Sequence, residues 1–228
     1  MATASGAKAA ACANPAPSTP TTDMSTITPT DVPAMAGIVL AGGLSSRMGQ
    51  DKALLRWQGR SLLAHMCALL QAAGAQTLRV SGSYPALPGV ESVPDLVPRC
   101  GPLGGLYSVV KTLPDGPAWV VAVDMPLLDR QLLWRLRDAG GARCVHFSGQ
   151  PLPMRLNIDR SCRALLQSMV MDVNGPRSLY RLQRQLGSIE LPLPDDGDAR
   201  LLNCNTPIQW EALPHESADP VAVRTTAH

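Results

Sequence analysis

"AGIVLAGGLSSRMGQDKALLRW", Ala36 to Trp57, decides the fold of this 228-residue chain. Gly37–Leu40 is an aliphatic run of the length of a buried strand, and it stops at the pair Gly42-Gly43. Two glycines directly after a strand let the backbone turn sharply and approach a ligand with no Cβ in the way. The N–H groups left free there suit a phosphate or a base edge; the same pair also makes a plain tight turn. Neither G-x-x-x-x-G-K-[ST] nor G-x-G-x-x-G is present, because the glycines fall at 42, 43 and 49, so a P-loop and a nicotinamide-binding turn are both disfavoured.

The loop that follows is cationic. The chain carries 17 arginines and only three lysines, Lys8, Lys52 and Lys111, and one of those three closes this loop. A compact ammonium on a flexible stem suits a point contact to phosphate, where the planar fork of arginine would not fit the same space. Arg47 adds a second cation. Taken singly these are surface charges; in one post-strand loop with two glycines they point to phosphate binding.

Working outward, short apolar runs alternate with helical patterns. Leu62, Leu63, Met66, Leu69, Leu70 and Ala73 share one helical face, and Gly74 stops that helix. Thr77–Val80 and Gly89–Val93 read as strands, Leu103–Leu113 as a helix, and "AWVVAVD", Ala118–Asp124, as the clearest buried strand. Asp129 caps a helix with Leu132, Leu133 and Leu136 facing inward and Gly140-Gly141 at its end. Cys144–Phe147 and Leu152–Leu156 read as strands. Asp159 opens a helix through Met169, and Pro176–Leu186 forms another. This alternation predicts a single α/β domain with a Rossmann-like, doubly wound, mostly parallel sheet covered on both faces. Ligands then bind beyond the carboxyl ends of the strands, after Leu40, Val80, Val93 and Val123.

At those ends, Asp124 closes the "VVAV" strand, where one carboxylate suffices for magnesium shared with phosphate oxygens; an Asp there can also simply cap the next turn. Asp95 precedes "GPLGG", Gly101–Gly105, whose helix start either meets an anion or makes a tight corner. In "NCNTP", Asn203 to Pro207, Thr206-Pro207 is a helix start, which leaves Asn203 and Asn205 for ligand contact or local turn bonding. His65 and His146 read as structural, neither having a nucleophile beside it.

Composition narrows the class. A net charge of +2 and 4% aromatic residues argue against a nucleic-acid surface. Six cysteines without a C-x-x-C read as buried thiols of a reducing cytoplasm, and no run approaches a membrane span. Residues 1–34, rich in Ala, Thr, Ser and Pro, read as a disordered leader, residues 35–213 as the folded domain and 214–228 as a flexible tail.

The stretches "LAGGLSSRMGQDKALL", "PD" with "GPLGG", "VDMP" and "NCNTP" together resemble the nucleotidyltransferases of the sugar-nucleotide-pyrophosphorylase type. Within that group the chain most resembles the molybdenum cofactor guanylyltransferase family, over nearly all of residues 36–213. The resemblance implies a nucleotidyltransferase-type domain that moves GMP from GTP to the terminal phosphate of molybdenum-bound molybdopterin with release of pyrophosphate. It implies that Leu40, Ala41, Gly42 and Gly43 hold the nucleotide, that Lys52 and Arg47 meet its phosphates, and that Asp95 lies near it. It further implies that Asp124 serves both nucleotide and Mg2+, and that Asn203 and Asn205 meet the pterin. Ser81 stands where the family often has Asn, a shorter side chain that still donates and accepts. With the composition, this gives a cytoplasmic protein that works without nucleic acid or membrane, and the partners implied are GTP and the molybdopterin cofactor, extending to molybdoenzymes or other cofactor-assembly proteins. The alternatives are a molybdopterin cytidylyltransferase, another nucleotidyltransferase, or a non-catalytic nucleotide-binding assembly factor.

Overall fold

The structure, a computed structural model, describes residues 34–42, 51–193 and 198–213, all within the compact unit Pro33–His228. In chain order the strands are β1 (Ala36–Leu40), β2 (Arg56–Trp57), β3 (Arg60–Ser61), β4 (Thr77–Ser81), β5 (Val90–Val93), β6 (Gly116–Ala122), β7 (Cys144–Phe147), β8 (Met154–Ile158) and β9 (Ile189–Leu191). The helices are α1 (Leu62–Ala73), α2 (Gly101–Val110), α3 (Arg130–Asp138), α4 (Arg160–Met171), α5 (Leu179–Leu186) and α6 (Pro207–Glu211).

Seven strands form one sheet in the order β5-β4-β1-β6-β8-β7-β9, and β2 and β3 make a separate antiparallel hairpin. The four strands from β5 to β6 run parallel; β8 is antiparallel to both neighbours, and β9 is parallel to β7. Ile38, Val39 and Leu40 are buried in succession, which requires cover on both faces of the sheet. That is the mostly parallel, helix-covered single domain expected from the sequence.

Polar side chains fasten the helices where the sequence signals them. Ser61 caps α1 through the Ala64 N–H, Asp129 caps α3 through Leu132, and Asp159 caps α4 through Cys162. Gly74 closes α1 at φ 110°, a left-handed conformation that glycine adopts without Cβ strain. Trp119 of β6 donates its indole N–H to Leu133 O at 2.9 Å, and Trp134 of α3 donates to Ala73 O at 3.0 Å. These two indoles lock β6 to α3 and α3 to α1. On α4, Arg163 donates to Leu113 O at 2.7 Å and to Val110 O at 3.3 Å, holding the end of α2.

Several boundaries differ from the sequence reading for local reasons. The strand expected at Leu152–Leu156 is Met154–Ile158, because Pro153 has no N–H for the ladder. The helix expected at Leu103–Leu113 starts at Gly101, since Pro102 fits a first helical turn, and ends at Val110. α5 starts at Leu179, after its Ser178 cap, rather than at Pro176. β6 stops at Ala122, so Asp124 stands two residues beyond the strand instead of ending it.

Trp119→Phe keeps the aromatic packing but removes the indole donor that reaches Leu133 O from β6. We expect a loss of about 1 kcal/mol in chemical denaturation, with the denaturant slope unchanged.

Candidate active site

β1, β4 and β6 end level with one another: Leu40 is paired with Ser81 on one side and with Ala122 on the other. The ladder runs one residue further on the β6 side, where Val123 N–H donates to Leu40 O at 3.1 Å. Three loops therefore leave the sheet at one edge. Ser81, the last residue of β4, is 1% exposed, and its Oγ accepts the Ala41 N–H at 3.1 Å and the Gly42 N–H at 3.4 Å. Tyr84 donates its hydroxyl to Ala41 O at 2.8 Å. Of the residues expected to face a nucleotide, Ala41 and Gly42 are thus held by Ser81 and Tyr84, and Leu40 by the strand ladder. Gly43 and Arg47 lie outside the described residues.

Past that loop, Asp51 accepts the Ala53 N–H at 2.9 Å and caps a short 3₁₀ turn, Lys52–Leu54. The cap aims Lys52 across the sheet edge. Its ammonium donates to Asp124 Oδ2 at 3.0 Å and to Asn205 Oδ1 at 2.6 Å. The Lys52 and Asp124 side chains are 15% and 16% exposed, so the pair is only partly wetted and its attraction is weakly screened. The C-terminal motif is held to the same edge by Cys204 N–H, which donates to Asp124 O at 2.8 Å. Gln209 Oε1 accepts the N–H groups of Asn205 and Thr206, and Thr206 caps α6, so "NCNTP" forms a capping box. Lys52, Asp124 and Asn205 come together; Asn203 is exposed nearby in sequence and is not part of that triad.

Asp95 is the fourth element. A Cβ placed on Gly42 would lie 3.6 Å from Asp95 Oδ2, and one on Gly105 would lie 2.9 Å from both Cβ and Oγ of Ser81. Gly105 is therefore obligatory for Ser81 to reach the β1 loop. The Asp95 loop is fastened to α2 through Ser108, which accepts Leu96 N–H and donates to Gly104 O, each at 2.9 Å. Partial burial raises the Asp95 carboxyl above the ordinary carboxylate range. His65 pairs with Pro126 O at 3.0 Å, and His146 sits between the carbonyls of Phe147 and Gln150, so both rings are engaged structurally.

Sequence reasoning missed three contributors. Tyr84 had no signal beyond an aromatic two residues after Gly82. Gln209 is visible in retrospect as the third position after Thr206. Arg200 pairs with Asp198 and, at 2.8 Å, with Asp129, tying the C-terminal segment to the cap of α3.

The geometry has the outline of a phosphate-handling edge, and comparison with known proteins agrees. Residues 37–189 match the MobA-like NTP transferase domain. The chain belongs to the MobA-like NTP transferase family. It is accordingly a nucleotidyltransferase. A molybdenum cofactor guanylyltransferase of Xanthomonas euvesicatoria pv. vesicatoria (strain 85-10) is 49% identical over 184 residues, covering 80% of this chain and 96% of that protein. The molybdopterin-guanine dinucleotide biosynthesis protein A of Archaeoglobus fulgidus superposes with a TM-score of 0.61 at 21% identity, covering 78% of this chain and 95% of the other. The 2-C-methyl-D-erythritol 4-phosphate cytidylyltransferase of Thermus thermophilus superposes at 0.56 with 14% identity, covering 77% and 95%. At these identities the two solved structures speak for the fold alone.

Lys52→Ala removes the ammonium that Asp124 and Asn205 hold at this edge, which tests a phosphate contact there. Lys52→Ala is expected to weaken nucleoside triphosphate affinity by at least ~10-fold, as measured by calorimetry. Lys52→Arg is expected not to restore it, because a longer, planar fork sets its charge differently from a compact ammonium.

Proposed function

We propose that this chain is a molybdenum cofactor guanylyltransferase, moving GMP from GTP to the terminal phosphate of molybdenum-bound molybdopterin and releasing pyrophosphate. The observation that carries the reading is the convergence of Lys52, Asp124 and Asn205 from three separate motifs at the carboxyl edge of β1 and β6. Support also comes from the 49% identical relative, which is named for this activity. The catalytic domain in this reading is 35–213, with 1–34 a leader and 214–228 a tail. No helix among the described residues is long and apolar enough to cross a membrane, and we place the enzyme in the cytoplasm.

The chemistry follows from charge. An acceptor phosphate oxygen attacks the α-phosphorus of GTP in line; a new P–O bond forms as the α–β P–O bond breaks, and pyrophosphate leaves. The attacking phosphate is already ionised at neutral pH, so no general base is required, which agrees with His65 and His146 each being bound to a backbone carbonyl. Catalysis rests on positioning and charge neutralisation. Lys52 exchanges Asp124 for a nucleotide phosphate, and Arg47 and Gly43 complete the phosphate contacts. Leu40, Ala41 and Gly42 support the nucleotide, and Ser81, having accepted two N–H groups, keeps its own hydroxyl proton to donate. Asp95 offers an acceptor beside Gly42, suited to the adjacent N1–H and N2–H donors of guanine. Asn203 and Asn205 meet the pterin.

The donor set fits a divalent ion used with substrate rather than a protein cage. Among the described residues no three His, Cys, Asp or Glu side chains cluster, while Asp124 presents one carboxylate at the phosphate edge. Magnesium prefers one or two carboxylates with phosphate oxygens and retained waters, so Asp124 would hold it. When bound, such an ion offsets the charge that develops on the phosphates. Substrate partners are GTP and molybdopterin, with molybdoenzymes or other assembly proteins as recipients.

The deciding experiment measures pyrophosphate release from GTP, CTP and ATP in competition, with molybdopterin and magnesium. GTP is expected to dominate, since an ill-matched base leaves buried groups unpaired at ~1–3 kcal/mol each. Equal or better use of CTP contradicts the guanylyl reading, and nucleotide binding without pyrophosphate release contradicts catalysis. Asp124→Asn is nearly isosteric but lacks the negative charge that holds a hard cation. Its turnover is expected to fall at least ~100-fold with melting temperature preserved, and normal turnover would make Asp124 a turn cap.

A further inference from the structure

Tyr84 lies between the two ends of the segment that joins β1 to Lys52. Its hydroxyl donates to Ala41 O at 2.8 Å, at the exit of β1, and stands 3.5 Å from Asp51 Oδ1, at the start of the Lys52 turn. That same Asp51 oxygen accepts the Ala53 N–H, so the residue next to Lys52 is held to the phenol and to its own turn together. The single hydroxyl proton is shared between the two acceptors as a three-centre bond, with its short arm to Ala41 O and its long, weak arm to the Asp51 carboxylate.

The ring is itself fixed. Gly82 adopts φ 104°, and a Cβ there would come within 2.8 Å of Tyr84 Cε2, so only glycine lets the ring lie against the backbone just past β4. Ser92 Oγ donates to Tyr84 O at 3.4 Å, and Gly82 N–H donates to Val93 O at 2.9 Å, anchoring the turn to β5. Burial, with Asp51 and Asp95 nearby, pushes the phenol ionisation upward, so the hydroxyl remains a donor across the working range.

We propose that Tyr84 is a positioning residue for the donor nucleotide: its hydroxyl ties the exit of β1 to the Lys52 turn and sets where the Lys52 ammonium stands. The proposal rests on the guanylyltransferase reading for the identity of the nucleotide, but the tether itself does not. Tyr84 touches no reacting atom. Its effect therefore acts through Lys52 and appears first in nucleotide affinity, with any loss in the chemical step accompanying that loss of affinity.

The test compares the full chain with Tyr84→Phe, which retains the ring against Gly82. GTP is titrated with magnesium, steady-state kinetics are measured for both substrates, and backbone hydrogen exchange is followed over residues 51–55. We expect GTP Kd and KM to rise about fivefold, the size of one neutral hydrogen bond, with any fall in kcat no larger than that rise and the molybdopterin KM within about twofold of the parent. Exchange over 51–55 should quicken. Parental GTP affinity overturns the proposal, as does a fall in kcat with GTP KM unchanged. If the parent itself binds no GTP, the guanylyltransferase reading fails; exchange still decides the tether, faster exchange upholding it and unchanged exchange overturning it.

Discussion

Three parallel strands that stop in register impose the geometry of this protein. Because Leu40 lies level with Ser81 and with Ala122, the loops after β1, β4 and β6 begin at one edge and can exchange hydrogen bonds immediately. Ser81 uses that proximity to brace Ala41 and Gly42, and Val123 uses it to extend the ladder to Leu40. A slip of β4 by one residue against β1 would reverse every side chain of β4 and turn Ser81 away from the β1 loop. The burial of Leu78 and Val80 makes such a slip costly, so the hydrophobic core sets the precision of the polar edge.

On that edge the protein stores opposite charges against each other. Lys52 and Asp124 are partly withdrawn from water, and Asn205 completes the shell of the ammonium. Held this way neither charge stands unpaired, which limits the desolvation cost of keeping both near one site. A polyanion arriving with a divalent ion offers each a stronger partner of the right sign. In the proposed reaction the pair is then a resting arrangement, and Asn205, carried by the segment that Cys204 and Gln209 lock in place, joins that segment to Lys52.

The centre of the sheet was legible because β1 reads as an unbroken apolar run and β4 as an alternation of Leu78 and Val80 with polar neighbours: Gly37–Leu40 and Thr77–Val80 each fall one residue short of the observed strand. The caps Asp129 and Asp159 were legible because N-capping is a local interaction. β9 was not, being three residues long and largely exposed, with its pairing supplied only by β7. Nor was the β2–β3 hairpin, whose strands are too short to show a period. At the site, residue types suggested Lys52, Asp124 and Asn205 separately. Their meeting spans 72 and 153 residues of chain, and only the folded sheet edge creates it. The resemblance matches Asn205 to the pterin, while the structure gives its carbonyl to the Lys52 ammonium, a contact no local pattern encodes.

The central claim is that the Lys52–Asp124 pair opens when nucleotide enters. Crystal structures of the full chain with GTP, with and without magnesium, test this directly. The account predicts that Lys52 Nζ leaves Asp124 Oδ2, 3.0 Å away in the resting arrangement, for a phosphate oxygen at the edge of β1 and β6. GTP bound elsewhere, or bound at this edge with the Lys52–Asp124 contact intact, would contradict it.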